Sequence, residues 1–302
     1  MARLCEGRVC IVTGAGGGIG REHALLLAAH GAKVVVNDLG GAMDGTGAST
    51  GPAQTVADEI VAAGGEAAAN TDDISSWDGA AQLVTQAIDT FGGLDVVVNN
   101  AGILRDRMLV NMTEEEWDAV IKVHLKGTFA PARHAAAYWR DRSKAGDAVD
   151  ARLINTTSVS GIYGNPGQTN YGAAKMGIAA FTIIAAQELG RYGVTVNAIA
   201  PGALTRMTEG LGGFRQPNEE QRERMSPKWI APICVWLASP ESREVTGRVF
   251  EASGTVLAVA ESWHRGPTTD PVLDPEAIGP IAMDLAARAR PNADMQGQDR
   301  KD

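Results

Sequence analysis

Near its start the chain carries a strand, a glycine-rich turn and a helix in direct succession. The apolar run RVCIV covers residues 8–12, the turn TGAGGGIG covers 13–20, and the helix REHALLLAAHG ends at Gly31. Glycines let the backbone approach a pyrophosphate, which the amide hydrogens and the dipole of the helix N-terminus then stabilise. This order predicts a dinucleotide site. We expect the cofactor to contact Gly14, Gly17, Gly18, Ile19 and Gly20.

The same alternation of strand and helix continues along the chain. Further strands are predicted at AKVVVND, EAAANTDDI, LDVVVNNAG, LINTT, VTVNAIAPGAL and GRVFEASGTVLAVA. Strands this continuously apolar are typical of a parallel sheet that is covered by helices on both faces. We predict an α/β fold with a single doubly wound parallel sheet of Rossmann type and about seven strands, whose carboxyl ends bind the ligands.

Asp38 ends the second predicted strand, where a carboxylate hydrogen-bonds the adenosine ribose of a bound dinucleotide. Its charge repels the 2′-phosphate of NADP, and the glycine turn contains no Lys or Arg that would bind this phosphate. The pattern favours NAD as the cofactor. The alternative is a strand-end carboxylate that only caps the next turn.

Other strand ends predict further cofactor contacts. Asn100, Ala101 and Gly102 follow the fourth strand, and Pro201 with Gly202 ends the sixth. Carboxyl ends of parallel strands meet along one crevice, so we expect these residues beside the cofactor. An Asn at such a position also suits a plain turn.

A hydroxyl, a phenol and an ammonium are spaced for proton transfer within residues 152–175. Ser158 follows a predicted strand, and Tyr171 and Lys175 lie at i and i+4 on one face of an Ala-rich helix. A free phenol has a pKa of about 10, and an ammonium about 4 Å away in a shielded cleft favours its ionised form. We therefore predict that Lys175 lowers the pKa of Tyr171. The bare spacing also occurs in ordinary helices, so the neighbouring motifs carry the assignment.

Charge and cysteine content exclude several classes of function. The net charge of −9 argues against nucleic acid and anionic membranes as partners, because both attract basic surfaces. The three cysteines are scattered and predict neither a disulfide framework nor a metal site. The first ten residues lack an apolar segment, and no stretch approaches the length of a membrane span. We expect a cytoplasmic protein without membrane insertion.

The domain boundaries follow from the same patterns. Residues 1–266 are predicted to form one dinucleotide-binding domain, which includes a flexible substrate flap at 203–228 that is rich in glycine and charge. Residues 267–302 are predicted to form a C-terminal extension, partly helical and then disordered.

Together these motifs resemble the short-chain dehydrogenase/reductase family over residues 5–260. The resemblance implies that Tyr171 is the catalytic base in alcohol oxidation, that Lys175 lowers its pKa and holds the nicotinamide ribose, and that Ser158 hydrogen-bonds the substrate oxygen. It further implies a set of cofactor contacts. Their positions here are the glycine turn, Asp38, Leu39, Asp73, Ile74, Asn100, Ala101, Gly102, Tyr171, Lys175, Pro201 and Gly202.

Two positions depart from the pattern of this family. The family usually has VNLKG, in which Asn holds a water of the proton relay, whereas this chain has VHLKG with His124. His124 is therefore our candidate for the relay, although a lone His in a helix is more often packed than catalytic. The family pattern PGxxxT is also altered, because Arg206 stands in the last position between Thr205 and Thr208.

A narrower resemblance concerns the (3R)-hydroxyacyl-CoA dehydrogenase branch that occurs in peroxisomal multifunctional enzymes and also oxidises 17β-hydroxysteroids. The matching stretches are VVVNDLGG, NNAGILRDR, VHLKGTF, SGIYGNPGQTNYGAAK and KWIAPICVWLAS. This resemblance implies an NAD-dependent dehydrogenase of an acyl-CoA or steroid alcohol. The alternatives are a 3-oxoacyl reductase and a catalytically silent NAD-binding protein.

We also predict a homodimer or homotetramer. The predicted Tyr/Lys helix is rich in Ala and Gly on several faces, which permits close packing against a partner helix. Members of the family pair these helices.

Overall fold

Eight strands form one sheet in the order β3-β2-β1-β4-β5-β6-β7-β8. The computed structural model describes residues 3–42, 44–47, 49–203 and 218–300. Strands β1 to β7 are parallel, and β8 pairs antiparallel with β7. The strands are β1 Val9–Thr13, β2 Lys33–Asn37, β3 Glu66–Asn70, β4 Val96–Asn99, β5 Ala151–Thr156, β6 Val194–Gly202, β7 Val249–Ser253 and β8 Leu257–Ala260.

Helices cover both faces of the sheet, which confirms the predicted doubly wound α/β fold. The helices are α1 Gly18–Ala29, α2 Gly51–Ala62, α3 Trp77–Phe91, α4 Glu114–Ile121, α5 Gly127–Ala145, α6 Thr169–Leu189, α7 Glu219–Arg224, α8 Ala231–Ala238 and α9 Pro275–Arg288. On one face, α1, α2 and α8 bury Leu27, Ile60 and Cys234 in a common core. On the other, α3 and α5 bury Leu83 and Trp139 together with part of α6.

The predicted closing strand GRVFEASGTVLAVA is a hairpin, and the sheet therefore has one strand more than the seven expected. The side chain of Ser253 accepts hydrogen bonds from the backbone N–H groups of Thr255 and Val256, at 3.2 and 3.0 Å. The backbone N–H of Ser253 also donates to the carbonyl oxygen of Val256 at 2.8 Å. These short-range bonds reverse the chain, so that Val249 pairs with Ala260. The apolar pattern alone did not reveal this turn.

The helical segment that follows Thr113 is interrupted. Thr113 caps α4 through a capping box with Glu116. The chain then widens into a π-helical turn over Lys122–Lys126 before α5 continues to Ala145. Pro131 lacks an N–H and so leaves the Gly127 carbonyl without its usual helical donor. Such π turns often occur at functional sites.

The strand order reverses between β1 and β4, which lie side by side although two strands separate them in the sequence. Their carboxyl ends lead into the glycine turn and into residues 100–102. Ligands of doubly wound sheets bind at this point. Of the predicted flap, residues 204–217 lie outside the described part of the chain, and the following residues form α7.

The C-terminal extension contains α9, which begins at Pro275 after the capping residue Asp274. Residues 289–300, for which the polar sequence predicts disorder, continue as a loop closed by a bridge between Ala293 and Asp299. None of the helices in the described residues has the length and apolar character needed to cross a membrane.

Candidate active site

One cavity of about 930 Å³ opens at the carboxyl edge of the sheet. Every site residue predicted from the sequence lies on its wall. These residues are Gly14, Gly17, Gly18, Ile19, Gly20, Asp38, Leu39, Asp73, Ile74, Asn100, Ala101, Gly102, His124, Ser158, Tyr171, Lys175, Pro201 and Gly202. The fold thus brings together motifs that are widely separated in the sequence.

The glycine turn packs its backbone closely against neighbouring residues at the start of α1. Gly14 and Gly18 have φ values of +63° and +53°, which side chains rarely adopt. A Cβ on Gly14 would lie 2.7 Å from the Ala101 Cα, and one on Gly20 would lie 2.2 Å from the Gly14 carbonyl oxygen. No side chain caps α1, and its first turn contains no acidic residue. Its first amide groups are therefore suited to a pyrophosphate.

Asp38 orders the glycine turn and also lines the cavity where the adenosine ribose is predicted to bind. Its carboxylate accepts hydrogen bonds from the backbone N–H groups of Gly16 and Gly40, at 2.8 and 2.7 Å. A carboxylate has about four acceptor positions, so two remain for ribose hydroxyls. A Cβ on Gly16 would approach the same carboxylate to 2.8 Å. The residues present fit a dinucleotide.

Asp73 and Ile74, which are predicted cofactor contacts, follow β3 in a turn. Asp73 accepts hydrogen bonds from the backbone N–H and the hydroxyl of Ser75, at 2.9 and 2.6 Å. Ile74 is buried, and its Cδ1 would lie 2.2 Å from a Cβ on Gly127. Because Gly127 has no side chain, the Ile74 side chain can pack against its backbone.

Asn100 ties the ends of β1 and β4 together. Its side-chain amide donates to the carbonyl oxygens of Thr13 and Gly14, at 3.0 and 3.2 Å. The Thr13 hydroxyl in turn accepts from the backbone N–H groups of Asn100 and Ala101, at 3.0 and 3.1 Å. Sequence reasoning missed this contribution of Thr13. The available signal was a hydroxyl at the first position of the turn TGAGGGIG.

Ser158, Tyr171 and Lys175 meet at the end of β5. The Ser158 side chain acts on the phenol of Tyr171 and favours its ionised form, and the Lys175 Nζ lies 5.5 Å from the centre of the Tyr171 ring. The Lys175 Nζ also donates to the backbone carbonyl oxygen of Thr156 at 2.6 Å, and the Thr157 hydroxyl donates to the backbone carbonyl oxygen of Lys175 at 2.6 Å. These bonds clamp α6 to β5 and fix the spacing of the three groups.

The predicted electrostatic effect of Lys175 on Tyr171 is wrong in this structure. Burial raises the pKa of Tyr171 to about 12, and the charge of Asp106 acts in the same direction. The Ser158 side chain works against this rise. Burial also lowers the pKa of Lys175 to about 7, so the lysine is only partly charged at neutral pH. Loss of solvation thus outweighs the attraction that the i, i+4 spacing suggested.

His124 lies in the π-helical turn and is 1% exposed. Its Nε2 lies 2.8 Å from the carbonyl oxygen and 3.1 Å from the backbone nitrogen of Ile103, and the tautomer decides which bond forms. Burial lowers the pKa of His124 to about 3, and the nearby charge of Lys175 contributes. Its Nδ1 is buried without a partner in the described structure, and its ring stands edge-on to Tyr171 with centroids 5.1 Å apart.

A cluster of polar side chains that sequence reasoning missed lies on the cavity wall, in the segment that precedes Tyr171. Gln168 is buried, lines the cavity and donates from its Nε2 to Asp106 at 2.7 Å. Its amide oxygen accepts from the Nδ2 of Asn165 at 2.9 Å. Burial raises the pKa of Asp106. Both Gln168 and Asn165 belong to the turn GNPGQ, whose glycines and proline indicated only a loop.

Comparisons with known proteins agree with this arrangement. The family profile described as short chain dehydrogenase matches residues 8–216. The hydroxyacyl-CoA dehydrogenase ChsB1 of Mycobacterium tuberculosis is 48% identical over 266 residues, which cover 86% of this chain and 81% of that protein. The peroxisomal multifunctional enzyme type 2 of Drosophila melanogaster is 46% identical over 270 residues, which cover 89% of this chain and 43% of that longer protein.

A solved structure supports the same relationship. The crystal structure of a short chain dehydrogenase from Mycobacterium avium is 56% identical, matches with a TM-score of 0.86, and the match covers 96% of this chain and 98% of the other. The resemblance deduced from the motifs is confirmed. The chain belongs to the short-chain dehydrogenase/reductase family and is an oxidoreductase that acts on CH–OH groups.

Proposed function

We propose that the protein is an NAD-dependent dehydrogenase that oxidises the secondary alcohol of a 3-hydroxyacyl-CoA thioester. The observation that carries this proposal is the grouping of Ser158, Tyr171 and Lys175 in the same cavity as the glycine turn and Asp38. A bound nicotinamide coenzyme would supply the hydride acceptor. The residues that would hold it are the glycine turn, Asp38, Asp73, Asn100 and Lys175.

Side chains of the protein carry the proton of the alcohol away from the substrate oxygen. Ser158 and Tyr171 hold the alcohol oxygen, and the phenol oxygen of Tyr171 takes the proton. Because the pKa of Tyr171 is raised, the phenol must pass on its own proton as it accepts another. Lys175, whose pKa is about 7, is neutral in about half of the molecules at pH 7 and accepts this proton. The unpartnered Nδ1 of His124 offers a hydrogen-bonding group beside Tyr171, but with a pKa of about 3 the ring does not itself hold the proton.

The preference for NAD rests on Asp38. Its carboxylate faces the cavity and is oriented by two backbone N–H groups, so a 2′-phosphate would meet a negative charge there. The glycine turn, which is fully described, contains no cation to offset that charge.

The choice of substrate is supported by the relatives. One is named a hydroxyacyl-CoA dehydrogenase, and another is a peroxisomal multifunctional enzyme of which this chain matches less than half. The cavity has ample volume for an acyl chain beside a dinucleotide. A 17β-hydroxysteroid is the alternative alcohol, and it would enter through the same opening.

The test is oxidation of 3-hydroxybutyryl-CoA, 3-hydroxydecanoyl-CoA and 17β-oestradiol with NAD and with NADP, in the protein as it stands and in Tyr171→Phe. We expect thioester oxidation with NAD, and at least a roughly 10³-fold lower kcat in Tyr171→Phe because the proton acceptor is removed. NADH binding, followed by fluorescence, should survive the substitution. Normal turnover by the variant, or faster reduction of a 3-oxoacyl thioester by NADPH than by NADH, would contradict the proposal. NAD binding without any turnover would favour a silent binding protein.

We also propose that the protein assembles as a homodimer or homotetramer through α6 and works in the cytoplasm. Ala173, Ala180 and Ile184 are exposed on α6 at spacings of about two turns and one turn, which forms a shallow stripe. Cys5, Cys10 and Cys234 are free thiols and buried, which suits a reducing compartment.

A further inference from the structure

The end of the C-terminal extension folds back as a compact turn, here called the tail turn and comprising residues 294–298. The carboxylate of Asp294 accepts hydrogen bonds from the backbone N–H groups of Gln296 and Gln298, at 2.9 and 3.0 Å. The backbone N–H of Asp294 donates to the carbonyl oxygen of Gln298 at 2.7 Å. These bonds give the tail turn a defined shape although it contains neither helix nor strand.

The tail turn rests on Tyr163. Gly297 has a φ of +73°, and a Cβ at this position would lie 3.1 Å from the phenol oxygen of Tyr163. The guanidinium group of Arg300 donates to the Tyr163 carbonyl oxygen at 3.3 Å. The phenol of Tyr163 donates in turn to the carboxylate of Glu251, which lies on β7. Tyr163 thus links the tail turn to β7 of the sheet.

This attachment places Met295 and Gln296 on the wall of the cavity that holds Ser158 and Tyr171. Tyr163 lies shortly after Ser158, in the segment before α6. Glu251 lies on β7, whereas the glycine turn follows β1, on the other side of the point at which the strand order reverses. The tail turn therefore lies at the substrate end of the cavity. Met225 and Val256 line that end as well, beside the polar side chains of Arg224, Glu251 and Thr255.

We propose that the tail turn is a specificity-determining wall, in which Met295 packs against the carbon chain of the substrate beyond the reacting carbon. The identity of that chain as an acyl group rests on the proposed function. A methionine side chain is unbranched and polarisable, so it adapts to a flexible apolar ligand. Longer acyl groups reach this wall and short ones do not.

The decisive variants are Met295→Ala and a chain that ends after Arg290. Both are compared with Met283→Ala, which removes an exposed methionine from α9 in the same extension. The measured quantity is kcat/KM for 3-hydroxydecanoyl-CoA divided by that for 3-hydroxybutyryl-CoA, with NAD. We expect this ratio to fall roughly tenfold in Met295→Ala and further in the shortened chain, because several buried CH₂ groups lose their contact. Met283→Ala should keep the original ratio.

A second variant moves the wall without removing Met295. Gly297 has a φ that valine rarely adopts, and a valine side chain at this position would meet Tyr163. Gly297→Val should therefore displace the tail turn and lower the same ratio. Unchanged ratios in Met295→Ala and in the shortened chain would overturn the proposal.

Binding separates this proposal from the proposed function. Calorimetric titration of decanoyl-CoA into the full-length protein with NAD present requires no turnover. If Met295→Ala binds decanoyl-CoA more weakly than Met283→Ala does, the proposed wall is supported even when no thioester is oxidised. In that case only the proposed reaction fails. Equal binding by the two variants, or no binding by the unaltered protein, would overturn the wall.

Discussion

Lys175 shows how burial changes the chemistry of a single residue. Its side chain is 3% exposed, and its ammonium has one hydrogen-bond acceptor at the Thr156 carbonyl. One neutral acceptor does not replace the solvation of a charge, which is why the pKa falls to about 7. A lysine with this pKa gains and loses a proton near neutral pH. It therefore suits a proton relay better than a permanently charged group would.

The rate of alcohol oxidation should follow the ionisation of Lys175. Below about pH 7 the amine is protonated and unable to accept a proton, whereas above that pH it is neutral. We expect kcat to rise about tenfold per pH unit below this value and to level off above it. The measurement is single-turnover oxidation from pH 5.5 to 9. A rate that stays constant across this range would show that the lysine does not titrate in the relay.

His124 should act through its hydrogen bond to Ile103 and its unpartnered Nδ1. Asparagine at this position retains a polar group that can reach a buried backbone partner, whereas leucine leaves Ile103 unpaired. We expect kcat to fall less than about tenfold in His124→Asn and roughly 10²-fold in His124→Leu, at similar KM for NAD. Thermal melting of both variants checks the fold. Equal kcat values in the two variants would exclude a polar role.

At the scale of elements, α6 has two separate surfaces. Its inner surface buries Asn170, Lys175 and Thr182 and carries the proton-transfer groups. Its outer surface exposes small residues and Ile184, which is 55% exposed. An isoleucine this accessible suits contact with another copy of the helix.

A charge on this outer surface should weaken the assembly. We expect Ile184→Glu to shift the protein toward smaller species, because a glutamate in an apolar contact loses its solvation. Val61→Glu adds the same charge at an exposed apolar position of α2 and is the matched control. Light scattering coupled to gel filtration gives the masses. A monomeric starting protein, or unaltered mass in Ile184→Glu, would contradict an assembly through α6.

At the scale of the whole molecule, two buried histidines link stability to pH. His23 and His124 are each 1% exposed, and burial lowers the pKa of each to about 3. In the unfolded chain they take up protons near pH 6.5, so between pH 6.5 and about 3 the unfolded state binds more protons. The free energy of unfolding therefore falls as the pH drops through this range.

His23→Gln isolates this effect outside the candidate active site. Each buried histidine should account for about 1.6 kcal/mol of the stability lost between pH 6.5 and 5. We expect urea unfolding at fixed protein concentration to show that His23→Gln loses about this much less than the unaltered protein. His264→Gln, at an exposed position, should leave the loss unchanged. Identical losses in all three proteins would mean that His23 is protonated in the fold.

Local patterns in the sequence determined much of this architecture, because they record backbone requirements. Glycines at 14 and 18 mark positive φ values, and continuous apolar runs mark strands with both faces covered. The alternation of these runs with helices was enough to predict the order of elements and the edge at which the site lies. Ser158, Tyr171 and Lys175 could be proposed because the surrounding motifs resemble a known family, since their bare spacing also occurs in ordinary helices.

Only the tertiary structure decided the properties that depend on distant partners. The hydrogen bond between His124 and Ile103 accompanies a π-helical turn that helical periodicity does not show. The hairpin at Ser253 divides the segment that the sequence predicted as a single strand. Burial, which depends on the whole fold, raised the pKa of Tyr171 where local spacing predicted a fall. The return of the tail turn to Tyr163 likewise joins residues 134 apart in the chain, from 163 to 297. Spacing along the chain specifies neighbours on one helix, but solvation and long-range contacts are set by everything that packs around them.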